Sequence, residues 1–331
     1  MGPILRQAIV YLALTSGIPP AAAITPADAP VRRLAAEDVT SRDARPDEAW
    51  LGLAAALAYD AERVYAVDAE DCAVKVFTKS GRFEAVIGRS GHGPGEFSFP
   101  SGVAVLGGRL FVADKLNRRI QVLDLSGRFL RSFALPFAPD RVLVLAADRL
   151  VVTRRPSGRP AGERILHFLS ASGEPLREEL VARTGGDPVL DAFLNMVLVS
   201  PGPRGDLFVI FKCQERAVLH YGPDGGLAGR VPVDRRYGSK AVSLPVRGGR
   251  RTVEAFCWES AQDRGRIFLL APEYTDGGDI GPGDRVYVID TAGRLEARIE
   301  LPARVSRLAV EGDRIFAVDL AGELRVFRVA R

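Results

Sequence analysis

The chain has 331 residues, 47% of them hydrophobic and 26% charged, with a formal net charge of +4. That composition is ordinary for a globular protein with a large core, and outside the first two dozen residues no stretch reaches the roughly 18 apolar residues a spanning helix needs. Only five of the 45 basic residues are lysine, and the arginine pairs Arg118/Arg119, Arg154/Arg155, Arg235/Arg236 and Arg250/Arg251 are scattered among 41 acidic residues. They read as solvated loops rather than as a nucleic-acid surface.

In chain order, residues 1–23 read as an export signal. Met1 to Arg6 carries one positive charge, Ala8 to Ile18 is a modest apolar run, and Ala21, Ala22 and Ala23 supply small residues for cleavage. The protein is therefore expected to be secreted or periplasmic, with no transmembrane segment once the signal is removed. Residues 24–49 form an N-terminal segment with one candidate strand at Val31 to Val39. The three cysteines, Cys72, Cys213 and Cys257, leave at least one thiol unpaired in a monomer. Cys213 and Cys257 could bridge in an oxidising compartment, though nothing in their spacing demands it.

From Trp50 onward the chain is repetitive. A short apolar run recurs at VYAVD (64–68), LFVAD (110–114), LVVTR (150–154), LFVIF (207–211), IFLLA (267–271) and IFAVD (315–319). A further strand follows each: VKVF (74–77), IQVL (120–123), ILHF (165–168), VLHY (218–221), VYVI (286–289) and LRVF (324–327). After the first five comes a turn ending in Gly81, Gly127, Gly173, Gly225 or Gly293. Runs rich in small residues precede them, such as GLAAAL (52–57) and GVAVL (102–106), suiting the crowded strands nearest the axis of a radial array. A repeat of roughly 40 to 50 residues holding one four-stranded meander is the unit of a propeller. The expected fold for residues 50–331 is thus an all-β, six-bladed propeller of four-stranded antiparallel blades. The last unit ends at Arg331 after its third strand, so the N-terminal strand is expected to close the ring and cover the open edge.

The segment Gly88 to Phe133 resembles an NHL repeat. The glycine-rich lead-in falls on Gly91 to Gly95, then Phe97, Pro100, Gly102 to Val105, Phe111 to Asp114, Asn117 to Val122, and Ser126 with Gly127. The likeness is partial over Leu51 to Gly88, and the third to fifth units depart from it. It implies a six-bladed propeller of the kind found in secreted bacterial proteins. No single activity follows, since such propellers serve as protein-binding, RNA-binding and, in a few relatives, metal-dependent enzyme scaffolds.

Candidate chemistry gathers at one end of the array. Turns between first and second strands are short, whereas the opposite end carries the irregular stretches 114–119, 154–163, 184–195, 234–252 and 272–284. Arg141, Asn195, Glu254 and Arg307, at the starts of first strands, are expected to approach the channel mouth, with Trp50 at the corresponding approach to the first blade. They could anchor a polar ligand, or pair with one another and cap the channel. Asp68, Asp114 and Asp319 share one repeat position and read as carboxylates that tie their own loops. His167 and His220 are equivalent positions in stacked sheets, about 10 Å apart, and so read as packing rather than as zinc ligands. His92 reads as solvated. The loop 272–284, with Glu273, Asp276, Asp279 and Asp284, lacks the EF-hand spacing.

The expected function is that of an exported, non-enzymatic binding or scaffold propeller, with no cofactor, recognising a protein, peptide or envelope glycan through its loop-rich face. The rival is a lactonase- or lyase-like enzyme holding a divalent ion through Asn195, Glu254 and Asp114. RNA binding conflicts with the export signal.

Overall fold

The computed structural model describes residues 32–40, 46–146, 149–156, 162–234, 237, 239–274 and 279–330. The expected export signal, and with it the arginine pair Arg235/Arg236 and Asp276, lies outside the described residues.

After β1 (Arg32–Asp38), the strands β2 (Ala54–Tyr59), β3 (Arg63–Asp68), β4 (Ala73–Thr78) and β5 (Phe83–Ile87) pair in sequence order as one antiparallel sheet. A short parallel pair, β6 (Arg89–Ser90) with β7 (Glu96–Phe97), folds the glycine-rich link that follows. The second sheet holds β8 (Pro100–Leu106), β9 (Arg109–Asp114), β10 (Arg119–Asp124) and β11 (Phe129–Ala134). The third holds β12 (Pro139–Ala146), β13 (Arg149–Arg154), β14 (Arg164–Ser170) and β15 (Pro175–Val181). A seven-residue helix, α1 (Pro188–Leu194), leads into the fourth: β16 (Val197–Pro201), β17 (Leu207–Phe211), β18 (Ala217–Tyr221) and β19 (Leu227–Pro232). A separate hairpin, β20 (Lys240–Val246) with β21 (Gly249–Ala255), is inserted next.

The remaining strands are β22 (Glu259–Asp263), β23 (Arg266–Tyr274), β24 (Ile280–Asp290), β25 (Leu295–Glu300), β26 (Val305–Glu311), β27 (Arg314–Asp319) and β28 (Leu324–Val329). Together with β1 they make one eight-stranded sheet in the order β22-β23-β24-β25-β1-β28-β27-β26.

This arrangement is a β-propeller, but it corrects the expected blade count and the expected closure. Among the described residues there are four discrete four-stranded blades, not six. The strands in which a fifth and a sixth blade were expected are continuous with one another. The cause lies in β1, which does not act simply as the closing fourth strand of a last blade. Arg32 to Ala35 run parallel to β25, and Ala36 to Asp38 run antiparallel to β28. Both edges of one short strand are used, so its peptide groups join two sheets that would otherwise each expose an unpaired edge.

The continuous apolar runs follow from burial on both faces. In β3, Val64 and Ala66 share a core with Phe316, Val318 and Val326, whereas Tyr65 and Val67 share one with Val103, Leu110 and Val112. Each strand of this kind is a wedge between two sheets, and each large side chain so buried contributes ~1.5–3 kcal/mol. The turns must be narrow to let the sheets approach. Gly173 has φ 94°, and a Cβ there would lie 2.4 Å from the ring of Phe133 in β11. The innermost strands, β2, β8, β12, β16, β22 and β26, neighbour one another around a common channel. A Cβ on Gly102 would meet the backbone nitrogen of Val142 at 3.0 Å, which explains a glycine where β8 meets β12.

The carboxylates that end β3 and β9 latch the links, and the one that ends β27 ties its own turn. Asp68 accepts from the N–H groups of Gly52 (2.9 Å), Leu53 (3.1 Å) and Glu70 (3.0 Å), and lies 3.0 Å from Nζ of Lys75, both side chains being buried. Asp114 accepts from Ser98 N–H, Asn117, Arg119 and Gln121, and Asp319 from Ala321 N–H, Glu323 N–H and Arg325. Burial opposes ionisation of Asp68, but the Lys75 ammonium and the two link N–H groups outweigh it and hold the carboxyl below its usual range. Its contribution to stability is therefore present above the ordinary carboxylate pKa and lost as pH falls through the depressed value. Asp68→Ala, which strands the buried Lys75 ammonium, is expected to cost ~3–5 kcal/mol in urea unfolding, and adding Lys75→Met should restore much of it. A loss below ~1 kcal/mol for the single variant would contradict the latch.

Candidate functional site

The channel is lined by Arg141 and Val142 from β12, Glu259 and Ser260 from β22, Arg307 and Leu308 from β26, and the small or apolar residues of β2, β8 and β16. It has a volume of ≈ 490 Å³ counting its open mouth. Each polar side chain arrives at the start of an inner strand, where the links enter, so all sit at the loop-rich end.

Glu259 is the centre of the group. Its Oε2 lies 3.2 Å from Arg141 and 3.6 Å from Arg307, and its Oε1 accepts from the N–H of Ser260 at 3.1 Å. Both guanidinium groups also donate to the carbonyl of Ala55, at 2.8 Å each, so the pair spans the channel from β12 and β26 to β2. Burial opposes ionisation of Glu259, but Arg141, Arg307 and Lys212 overcome it and keep the carboxyl below its usual range.

Lys212 follows β17 directly, and its ammonium lies 5.2 Å from the centre of the Trp258 ring. It is half-buried, with protein packed closely around its ammonium. That enclosure is the main reason its pKa falls to about 8; attraction to Glu259 resists the fall, and repulsion from Arg307 and Arg141 adds to it. Asp140 lies 3.6 Å from Lys115 and 3.4 Å from Arg155. Partial burial opposes its ionisation, but Arg155, Arg141, Lys115 and Lys212 hold its carboxyl low. Among the described residues, Arg141 and Arg307 meet Glu259 in the channel, Lys115 and Arg155 meet Asp140 beside Arg141, and Lys212 is felt by both carboxylates, so five cations gather around two.

Of the residues singled out from sequence, Arg141 and Arg307 are brought together on Glu259. Glu254 lies in β21 of the inserted hairpin, bonded to Ser239 and 3.9 Å from Arg216. Asn195 caps α1: its side chain accepts from Arg183 N–H and donates to the carbonyls of Arg183 and Asp191. Trp50 is 40% exposed on the link before β2, its carbonyl accepting from Lys75. Asp114 is buried within its latch. Asn195, Glu254 and Asp114 therefore keep separate partners, and among the described residues no group of three or more His, Cys, Asp or Glu side chains is placed to hold a metal ion.

His167 stacks on Phe137 (4.1 Å between ring centres) and His220 on Phe208 (5.0 Å). Cys213 and Cys257 are buried free thiols. The expected loop 272–284 is largely an extension of the β23–β24 hairpin, in which Glu273 of β23 is bonded to Lys240 and Arg285.

Glu259 and Lys212 escaped the sequence reading. A signal for Lys212 was present: Lys115, Arg155 and Lys212 each follow the second strand of three consecutive units, where the first and last units have Ala69 and Leu320.

The sequence profile of a family, DUF5128, described as a 6-bladed beta-propeller, matches residues 46–155, about a third of the chain. This replaces the NHL-type assignment, which no family match supports. No curated protein sequence matches. Among solved structures the chain is similar to a gluconolactonase of Xanthomonas campestris (18% identity, TM-score 0.55, covering 92% of this chain and 97% of that one). It is also similar to hydrazine synthase of Kuenenia stuttgartiensis (12%, 0.52, 87% and 98%) and virginiamycin B lyase of Staphylococcus aureus (10%, 0.52, 90% and 99%). At such identities the likeness is one of fold. No helix among the described residues is long and apolar enough to cross a membrane.

The depressed pKa of Lys212 has a thermodynamic signature. Between about 8 and the ordinary lysine value the unfolded chain binds more protons than the folded one, so this group makes stability rise with pH across that window. Lys212→Met is expected to melt higher than wild type at pH 7, with the difference shrinking towards pH 10. Equal melting temperatures at both pH values would contradict an enclosed, strained ammonium.

Proposed function

We propose that the protein is an exported, non-enzymatic binding propeller that takes an acidic group of a protein, peptide or envelope glycan into the mouth of its channel. The observation that carries this reading is the unbalanced charge among the described residues: Lys115 and Arg155 lie 3.6 and 3.4 Å from Asp140, Arg141 and Arg307 lie 3.2 and 3.6 Å from Glu259, and Lys212 adds a fifth cation near both carboxylates. Three surplus positive charges crowd into a narrow, partly desolvated opening, where they focus the field on whatever approaches. Lys212 bears a cost there: enclosure chiefly destabilises its ammonium, repulsion from Arg307 and Arg141 adds to this, and attraction to Glu259 offsets only part of it. An incoming carboxylate would relieve it, so binding and charge relief are one event. The backbone carbonyls and Glu259 hold the arginines in place beforehand, which lowers the ordering cost of recognition.

The test uses N-acetylated hexaglutamate and tri-galacturonate as probes, with N-acetylated hexaglutamine as the neutral control, in titration calorimetry. The acidic probes are expected to bind and the control not to, with affinity falling as salt rises. Arg155→Ala should weaken binding about tenfold, the loss of one charge-assisted contact. As pH rises through about 8, where Lys212 loses its proton, affinity should decline in wild type and stay flat in Lys212→Met. Equal binding of hexaglutamate and hexaglutamine would overturn the proposal.

A further inference from the structure

Beside the cationic mouth lies an arc of exposed apolar side chains. Leu320 follows β27, Trp50 and Leu53 precede β2, Phe99 precedes β8 and Leu116 follows β9. All five emerge at the loop-rich end, because links into first strands and turns out of second strands share that end. Their exposure runs from 39% at Phe99 to 64% at Leu116. At the opposite end, among the described residues, Leu106 and, at the starts of fourth strands on separate sheets, Leu130, Leu176 and Leu227 are exposed, with no cationic mouth beside them. Exposed apolar side chains placed singly are unremarkable, but five on consecutive links at one end make a patch that water does not favour.

The fold holds these side chains out by specific backbone contacts. Leu51 N–H donates to the carbonyl of Gly322 (2.9 Å), which ties the Trp50 link to the Leu320 turn. Leu116 N–H donates to the carbonyl of Ser98 (3.0 Å), which sets Leu116 beside Phe99. Phe99 adopts φ 53°, a left-handed conformation costly for a bulky residue, and it is the Asp114 bond to Ser98 N–H that braces this corner. The arc also touches the charged mouth directly. The ammonium of Lys115 lies 5.8 Å from the centre of the Phe99 ring while also facing Asp140 at 3.6 Å.

We infer that the ligand is a peptide segment in which an acidic residue is followed or preceded by large apolar ones, the carboxylate entering the cationic mouth while its apolar neighbours lie on the arc of Leu320, Trp50, Leu53, Phe99 and Leu116. This rests on the acidic-group reading above and narrows it. Charge complementarity selects the carboxylate, and the abutting apolar arc selects a peptide over an acidic glycan, which offers little apolar surface to cover aliphatic and aromatic side chains. The join at Lys115 and Phe99 places the two features within one or two residues of an extended chain, each residue spanning about 3.3 Å.

The experiment probes an immobilised array of N-acetylated hexapeptides, varied at every position, with wild type, with Trp50→Ser combined with Leu116→Ser, and with Arg155→Ala combined with Lys212→Met. Tri-galacturonate binding to the same proteins is measured by calorimetry. Both apolar positions are exposed, so the Ser variant should keep the wild-type melting temperature. Wild type is expected to select peptides pairing Asp or Glu with Leu, Phe or Trp, and the Ser variant to lose about tenfold on those peptides while retaining purely acidic ones. The charge variant should lose both classes. Selection of acidic residues without apolar neighbours, or tri-galacturonate binding tighter than any peptide, would overturn this inference and leave the acidic-group reading standing. Absence of any acidic preference would overturn both.

Discussion

One carboxylate, Glu259, holds two guanidinium groups across the centre of the ring and leaves a third cation, Lys212, incompletely balanced. Much of the protein's chemistry depends on that arithmetic. A buried charge is tolerated only when paired, and here the pairing is shared rather than matched. Arg141 and Arg307 meet their remaining hydrogen-bonding needs on the carbonyl of Ala55, a backbone group made available because inner strands around a channel cannot pair with one another. The site is thus a by-product of closing a ring of sheets, sharpened by the choice of side chain at the start of each inner strand.

The same logic separates the two sets of carboxylates. Asp68, Asp114 and Asp319 end second strands and spend their lone pairs within their own sheets, Asp68 and Asp114 on the incoming links and Asp319 on the turn after β27. Asp68 and Asp114 thereby hold the loops that carry Trp50, Leu53 and Phe99 at the surface, so these latches and the exposed arc are parts of one device. Asp140 and Glu259, by contrast, face cations brought in on other strands and set the charge of the mouth. Rigid placement of the apolar side chains and unbalanced placement of the charges both follow from where a strand begins or ends.

The second strands were legible in the sequence because burial on both faces removes the polar alternation that would mark a one-sided sheet; VYAVD and LFVAD show this plainly. The turn glycines were legible because a side chain at Gly173 would strike Phe133. The fusion through β1 was not. Its sequence RRLAAED is largely exposed and carries no apolar stripe that would assign it to one edge rather than two. Arg141 and Arg307 could be placed from strand register. Glu259 could not, because β22 reads ESAQD, too polar to stand out beside the VEAF run of the inserted hairpin. Lys212 was obscured for a different reason: the repeat position it shares with Lys115 and Arg155 lies in turns, where charge is common and meaning depends on what the fold gathers around it.

The channel mouth gathers more cations than carboxylates, and Lys212, whose ammonium is disfavoured chiefly by its enclosure, is the group that an incoming carboxylate would stabilise. With lysine labelled at its side-chain carbons, the Lys212 resonance would be followed by NMR from pH 6 to pH 11, with and without saturating N-acetylated hexaglutamate. The account predicts a midpoint at about 8 in the free protein, moving upward when the acidic probe supplies the missing charge. A midpoint at the ordinary lysine value, unmoved by the probe, would contradict it.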